Sequence, residues 1–173
     1  MLRSLVGSEM CIRDSDGPVA TGNVDSVIEN GEIGLVPDKS LLSDDTDVEG
    51  DSLSVSGIRT GAVTEDGTTG VVGEGLVGTY GTLTLNADGS YSYAANAAAV
   101  EALPTGTEVI DTFTYTVSDG TLTSSAELQI TVTGVNDGPV ATGNVDSVIE
   151  NGEIGLVPDK SLLSDDTDVE GDS

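Results

Sequence analysis

The chain contains no histidine and no tryptophan, one cysteine, and few aromatic or basic side chains. Aromatic residues make up 3% of its 173 residues, and 5 lysines and arginines face 31 aspartates and glutamates. Without histidine, a Ser-His-Asp catalytic arrangement is impossible, and soft or borderline metal ions have no evident ligands. The single Cys11 cannot form a disulfide within the chain. No apolar run approaches the length of a transmembrane helix.

The formal net charge of −26 limits the partners that the chain can bind. It repels the phosphates of nucleic acids and the surface of anionic membranes, so we expect no nucleic-acid partner and no membrane insertion. It favours cations or a highly soluble extracellular surface. Acidic, aromatic-poor chains are often disordered. Here 36% of the residues are hydrophobic and lie in alternating runs, which predicts a folded domain that depends on cations.

A long internal repeat organises the chain. Residues 16–52 recur without a change as residues 137–173, so each position recurs 121 residues later. A period of that length corresponds to a whole domain, and therefore to tandem modules. We predict one complete module over residues 16–136 and, over residues 137–173, the truncated and poorly anchored start of the next. The identity fits either a recent duplication or an assembly artefact.

The first fifteen residues differ from the rest. Residues 1–15 hold the only cysteine and both methionines, and they lack the continuous apolar core of a signal peptide. They resemble a translated sequencing adapter. We therefore expect a non-native leader, with Met1 not the natural start of the protein, and we expect the remainder to be a fragment.

Alternation of apolar and polar residues predicts strands in the complete module. Asp88-Gly89 and Asp119-Gly120 have the composition of hairpin turns. Apolar residues confined to one face of each strand need a second sheet to cover them, so the predicted fold is an all-β antiparallel sandwich. The Ala-rich residues 94–103 predict a short helix or helical turn, and residues 58–78 a long loop or an irregular edge. The predicted strands are residues 53–56, 81–86, 90–93, 111–117 and 126–132.

An acidic run is the main candidate for a binding site. It alternates ligands in Asp45-x-Asp47-x-Glu49 and follows them with Gly50, as calcium loops of the D-x-D-x-D-G type do. Oxygen-only ligands of this charge favour Ca²⁺ over Mg²⁺. Ser56 and a strand pattern stand where an EF-hand needs a glutamate and a helix. The alternative is a solvated acidic turn. The candidate ligands are Asp44, Asp45, Asp47, Glu49 and Asp51, repeated as Asp165, Asp166, Asp168, Glu170 and Asp172.

Three ordered segments resemble the VCBS repeat, a family of cadherin-like or immunoglobulin-like bacterial modules. They are residues 78–93 (GTYGTLTLNADGSYSY), residues 111–120 (DTFTYTVSDG) and residues 130–140 (ITVTGVNDGPV). Residues 41–53 (LLSDDTDVEGDSL) look like the calcium-associated motif of related cadherin-like repeats. The resemblance implies a repeat of a large secreted bacterial surface protein. Such proteins are often type I-secreted, RTX-type adhesins involved in attachment and biofilm formation.

The resemblance also implies Ca²⁺ that stiffens the junctions between neighbouring repeats of the same chain. It adds Asn136 and Asp137 as linker ligands. Cadherin-type linkers often read D-x-N-D, and Gly134 stands where the first aspartate would be, so the linker site is expected to be weaker than the acidic run. Glu49 stands where aspartate is usual. Cell-surface glycans or proteins are further expected partners.

Two other functions compete with this interpretation. A carbohydrate-binding module would need Tyr80, Tyr91 or Tyr93 as an exposed stacking platform, but the alternation places at least Tyr91 and Tyr93 on the core face. A glycosidase needs two carboxylates at a set spacing. Among 31 acids some pair satisfies that by chance, so we predict that the chain is not an enzyme.

Overall fold

The structure is a computed structural model that describes residues 15–34 and 40–137, together with residues 141 and 143. Residues 1–14 of the predicted leader lie outside the described residues. So does nearly all of the predicted second repeat, including the candidate ligands Asp165, Asp166, Asp168, Glu170 and Asp172. The prediction that residues 137–173 are poorly anchored is therefore not tested.

The described part contains nine strands and one short 3-10 turn. The turn spans Leu41–Ser43. The strands are β1 (Asn23–Ile28), β2 (Glu32–Ile33), β3 (Ser54–Thr60), β4 (Thr69–Gly70), β5 (Gly75–Val77), β6 (Thr82–Leu85), β7 (Tyr91–Ala94), β8 (Glu108–Ser118) and β9 (Thr123–Thr133).

The strands form two sheets. One has the order β1-β9-β8-β3-β4 and the other the order β2-β7-β6-β5. The pairs within both sheets are antiparallel except β1 with β9, which run parallel. The predicted all-β sandwich is confirmed.

Side chains from the inner faces of both sheets build the core, because alternate residues of a strand point to the same face. Phe113, Tyr115 and Val117 of β8 are at most 1% exposed, as the alternation predicted. Tyr93 of β7 packs edge-on against Phe113, with ring centroids 6.1 Å apart. Tyr91 and Tyr93 are 5% and 1% exposed, so neither can serve as a stacking platform for sugars.

Some elements differ from the predicted ones. β8 and β9 are each 11 residues long, because the ladder between them continues beyond the clearly alternating core. In the Ala-rich segment, Ala94 ends β7 and residues 98–102 form turns, closed by hydrogen bonds from Val100 N to Ala97 O and from Leu103 N to Val100 O, so the segment holds turns and not the short helix. Residues 58–78, predicted as a long loop or an irregular edge, contain the end of β3 and the short edge strands β4 and β5.

One carboxylate is buried inside the sandwich. Asp111 of β8 is 3% exposed. Its Oδ1 accepts a hydrogen bond from the backbone N–H of Thr79 (3.1 Å), and its Oδ2 accepts from the N–H of Tyr80 (3.0 Å) and the hydroxyl of Tyr93 (2.9 Å). The carboxylate thus ties the segment between β5 and β6 to the opposite sheet.

The described chain begins and ends at opposite ends of the sandwich. Because β1 is parallel to β9, residues 15–22 lie at the start of β9, where Ala20 N donates to Ser124 Oγ (3.3 Å). Residues 134–137 lie at its other end, where Val135 N donates to Glu29 Oε2 (2.8 Å). We call these ends the N-terminal pole and the C-terminal pole. The length of β9 separates them by about 34 Å.

Candidate metal centre

Three carboxylates converge at the C-terminal pole. One ligand oxygen from each of Glu29, Glu101 and Asp137 lies within 4.8 Å of the other two. We call these residues the acidic trio. In the part of the chain that the structure describes, they are the one group of three or more acidic or cysteine side chains with this property. The trio combines a candidate linker ligand, Asp137, with two glutamates that no motif singled out.

Glu29 is held rigidly at the end of β1. It is 2% exposed, its N–H donates to Thr133 O (2.8 Å), and its Oε2 accepts from Val135 N (2.8 Å). Asn30 then takes a left-handed conformation with φ 55°, which asparagine tolerates better than most residues, and the chain turns into β2. The turn leaves the Glu29 carboxylate between the end of β1 and the segment that follows β9.

Glu101 lies in the turns at residues 98–102 of the Ala-rich segment. Its neighbour Val100 is fully buried and anchors the segment, while Glu101 is half-buried. Gly134 passes closely beneath this segment: a Cβ there would lie 2.7 Å from Leu103 Cβ and 2.8 Å from Leu103 O. No side chain fits at that position. The place of the first linker aspartate is therefore glycine for a packing reason, and Glu101 supplies a carboxylate nearby instead.

The two candidate linker residues have different positions. Asp137 is half-buried and belongs to the acidic trio. Asn136 is exposed, and its side-chain Nδ2 donates to Asp137 O (2.9 Å), so its amide lies against the linker backbone. Of the predicted linker ligands, the structure brings Asp137 to the site and leaves Asn136 at its margin.

The trio fits a hard divalent cation. Ca²⁺ binds oxygen ligands at about 2.3–2.6 Å, so two oxygens bound to one ion lie no more than about 5.2 Å apart, and the oxygens of the trio lie within 4.8 Å of one another. Three carboxylates this close repel one another strongly unless a positive charge lies among them. The donor set contains only oxygen, which favours Ca²⁺ over transition metals.

The acidic run lies at the N-terminal pole, where Val19 and Thr46 form an antiparallel bridge. Asp45 is half-buried, and its Oδ1 accepts from Thr21 N (2.7 Å). Its Oδ2 is buried and accepts no hydrogen bond. Desolvation raises the pKa of Asp45, and the charge of Asp44 adds to that rise, while the hydrogen bond from Thr21 opposes it. A cation at Oδ2 would relieve this cost.

The rest of the run forms a closed turn. Asp47 Oδ1 accepts from Asp51 N (3.0 Å), and Gly50, with φ 77°, makes the sharp turn expected of the glycine. Asp47 Oδ2 is also buried without a hydrogen bond. Glu49 is exposed, and its Oε1 accepts from Asp16 N (3.2 Å). The two orphaned oxygens of Asp45 and Asp47 are what a cation in this loop would satisfy.

The loop does not by itself assemble a complete set of carboxylates. Among the described residues, no three of Asp44, Asp45, Asp47, Glu49 and Asp51 bring ligand oxygens within 4.8 Å of one another. Asp44 and Asp51 are exposed, and Asp44 contributes a backbone oxygen to Thr21 Oγ1 (3.1 Å). Calcium binding by this loop therefore stays a prediction, supported by the two buried oxygens and the glycine turn.

Sequence reasoning missed Glu29 and Glu101 because each stands alone in its local sequence. The acidic run is visible as a cluster, whereas the trio forms only when the end of β1, a turn before β8 and the segment after β9 meet at one pole. The available signal was indirect: Glu29 ends an alternating polar and apolar segment, and Glu101 lies in an Ala-rich segment beside an apolar residue.

A solved structure to which the chain is similar is the endo-fucoidan hydrolase MfFcnA4 from glycoside hydrolase family 107, with 25% sequence identity and a TM-score of 0.35. The match covers 69% of this chain and 14% of that one, so the chain spans a small part of that protein. No curated protein matches the chain.

The family comparison covers most of the described sandwich. The profile of the bacterial cadherin-like domain matches residues 15–134. The matched range includes Glu29, Glu101 and the whole acidic run. Within the described residues, no helix has the length and hydropathy needed to cross a membrane. The chain belongs to the bacterial cadherin-like domain family.

Proposed function

We propose that this chain is a calcium-binding structural and adhesive repeat of a large secreted bacterial surface protein. Ca²⁺ binds the acidic trio at the C-terminal pole and the acidic run at the N-terminal pole. The immediate partners are the neighbouring repeats of the same chain, and the array presents surfaces to cell-surface glycans or proteins. The module itself performs no catalysis.

The observation that carries the proposal is the convergence of Glu29, Glu101 and Asp137 at the pole where the module ends. Glu29 and Glu101 belong to the complete module, whereas Asp137 is the first residue of the next repeat and corresponds to Asp16. An ion shared by the three would connect one module to the first residue of its successor. The angle between successive modules would then be fixed, and a string of modules would be stiff.

Calcium removal should lower the melting temperature of the chain. Extracellular calcium sites have dissociation constants of about 10⁻⁴–10⁻³ M, so at about 1 mM Ca²⁺ each site adds roughly 0.4–1.4 kcal/mol. Two sites correspond to a Tm lower by roughly 5–10 °C after chelation. Thermal unfolding followed by circular dichroism, with Ca²⁺ and then with excess chelator, measures this shift. An unchanged melt would contradict calcium binding.

The variant Glu101→Gln should change the sign of its effect with the ion present or absent. Without Ca²⁺ it relieves repulsion within the trio, so the variant should melt slightly higher than the parent chain. With Ca²⁺ it removes a ligand, so the variant should melt lower. Thermal unfolding of both chains under both conditions tests this crossover.

Glu108→Gln is the matched control for that crossover. Glu108 is exposed, lies opposite Thr133 near the same pole, and is not part of the trio. Its loss removes the same charge, so its effect should have one sign under both conditions. If Glu101→Gln behaved like Glu108→Gln, the trio would be three nearby carboxylates rather than an ion site.

A further inference from the structure

Strand β1 is attached to the module mainly by polar contacts. None of its six residues is buried, and its inward side chains are Asn23, Asp25 and Val27. Asn23 Nδ2 donates to Tyr115 Oη (2.9 Å), and Tyr91 Oη donates to Asp25 Oδ2 (2.7 Å). A strand with so little buried apolar surface gains little from the hydrophobic effect, which is the main driving force for docking.

The strand is also at the edge of its sheet. β1 pairs with β9 along one side, and among the described strands no other one pairs with it. Its outward residues Val24 and Ile28 are 82% and 59% exposed. Segments with few buried contacts open locally at a lower free-energy cost than the core does. β1 is therefore among the elements whose docking depends most on what holds its two ends.

Both ends of β1 are attached to a candidate ion site. At the N-terminal pole, Thr21 N donates to Asp45 Oδ1 (2.7 Å), and Thr21 Oγ1 donates to Asp44 O (3.1 Å). At the C-terminal pole, the residue directly after the strand is Glu29, a member of the acidic trio. An ion in the acidic run fixes the start of β1, and an ion in the trio fixes its end.

We propose that β1 couples the two poles of the module, so that a divalent ion bound at one pole raises the affinity of the other. This inference rests on the proposed function, because it needs both sites to bind ions. The binding free energy of whichever ion binds first offsets part of the conformational entropy lost when the strand is ordered. The second ion then binds to an end that is already ordered, which gives positive cooperativity without any direct contact between the sites.

Direct electrostatic repulsion between the two bound cations opposes this coupling, but the repulsion is too weak to cancel it. Two bound cations repel, but the poles are about 34 Å apart, whereas the screening length at physiological salt is about 8 Å. Any strong communication between the sites must therefore pass through the protein. The segment from Thr21 to Glu29, which contains β1, is the shortest covalent path between the two sites.

The N-terminal site has a built-in optical reporter. Tyr115 Oη donates to Thr21 O, and Thr21 N donates to Asp45 Oδ1, so Tyr115 lies two hydrogen bonds from the acidic run. Excitation of a nearby tyrosine sensitises the luminescence of Tb³⁺, which substitutes for Ca²⁺ at oxygen sites. The signal lost in Tyr115→Phe identifies emission from the acidic run.

The experiment measures Tb³⁺ affinity at the acidic run in the full chain, in Glu29→Gln and in Glu101→Gln, with total ion stoichiometry from calorimetry. Coupling predicts that both variants, altered only at the opposite pole, weaken the Tyr115-sensitised site about fivefold or more. Hydrogen exchange in Ca²⁺ should also become faster in β1 and not in β6 or β7. Glu108→Gln is the control, and its sensitised affinity should stay within about twofold of the parent chain.

Each other outcome has a distinct meaning. If Glu29→Gln and Glu101→Gln bind one ion fewer but keep the parent affinity at the acidic run, the coupling is wrong and the proposed function stands. If Glu108→Gln weakens the site as much as they do, long-range charge is responsible and the coupling is again wrong. If the parent chain gives no Tyr115-dependent emission, the acidic run binds no ion, and the proposed function fails at that pole.

Discussion

Replacing Asp111 by alanine should lower the free energy of unfolding by about 3–5 kcal/mol. The change leaves three donors without their acceptor: the N–H groups of Thr79 and Tyr80 and the hydroxyl of Tyr93. The Tyr93 hydroxyl is buried and the two N–H groups are partly buried. A buried donor that loses its partner costs about 1–3 kcal/mol, and a domain of this size is stable by only about 5–15 kcal/mol. Chemical denaturation of the two chains measures the difference.

Two further variants separate the contribution of the Asp111 carboxylate to stability from the contributions of its neighbours. Tyr93→Phe removes one donor and keeps the carboxylate, so it should cost about 1 kcal/mol. Ile110→Ala changes the adjacent residue, which is 56% exposed, and should stay within about 0.5 kcal/mol of the parent chain. If Asp111→Ala unfolded at the same denaturant concentration as the parent, the buried carboxylate would contribute nothing to stability.

Alkaline pH should unfold the chain steeply. Burial and the charge of Asp45 raise the pKa of Tyr115 to about 12, against the hydrogen bond from Asn23. Burial raises the pKa of Tyr91, together with its hydrogen bond to Asp25, and burial with the charge of Asp111 raises that of Tyr93. In each case the folded-state pKa lies above the unfolded value of about 10. The stabilisation is therefore present below pH 10 and is lost as pH rises through the folded-state values.

The loss of stability per pH unit follows from the number of buried phenols. Between about pH 10 and pH 12, the unfolded chain has released three protons that the folded chain retains. Each proton contributes about 1.4 kcal/mol per pH unit, so the free energy of unfolding should fall by about 4 kcal/mol per unit. Denaturant titrations at pH 9, 10, 10.5 and 11 measure this slope.

Tyr80→Phe is the control for the alkaline slope, because it leaves the three buried phenols in place. Tyr80 is half-buried, whereas Tyr91, Tyr93 and Tyr115 are at most 5% exposed. The variant should therefore lose stability with the same slope as the parent chain. Equal stability of the parent at pH 9 and pH 11 would show that the phenols ionise as readily in the folded protein as in the unfolded chain.

The central strands of the fold could be predicted from sequence because period-2 alternation reports burial directly. β6, β7, β8 and β9 follow that pattern, and their apolar side chains form the core. β1 could not be predicted in the same way. Its inward positions hold Asn23 and Asp25, which are satisfied by the hydroxyls of Tyr115 and Tyr91. A polar inward face has no signature until its partners on distant strands are known.

The two parts of the candidate site differ in the same way in how far sequence could predict them. The acidic run is local, so its ligand spacing and the turn at Gly50 could be read from the sequence. The acidic trio is non-local, because Glu29, Glu101 and Asp137 meet only after the sandwich has formed. Of the linker motif, sequence identified Asp137. It could not show that packing against Leu103 forces glycine at position 134, or that Glu101 provides a carboxylate near that position.

The parallel pairing of β1 with β9 also decides how the module responds to being pulled. Tension applied at the two poles draws the start of β1 and the end of β9 in opposite directions, along the strands rather than across them. The six registered residue pairs from Asn23–Leu128 to Ile28–Thr133 are then loaded together and must slide at once. Separating strands from one end would break such pairs one at a time. Tension of this direction is therefore opposed by the shear resistance of the whole β1–β9 ladder at once.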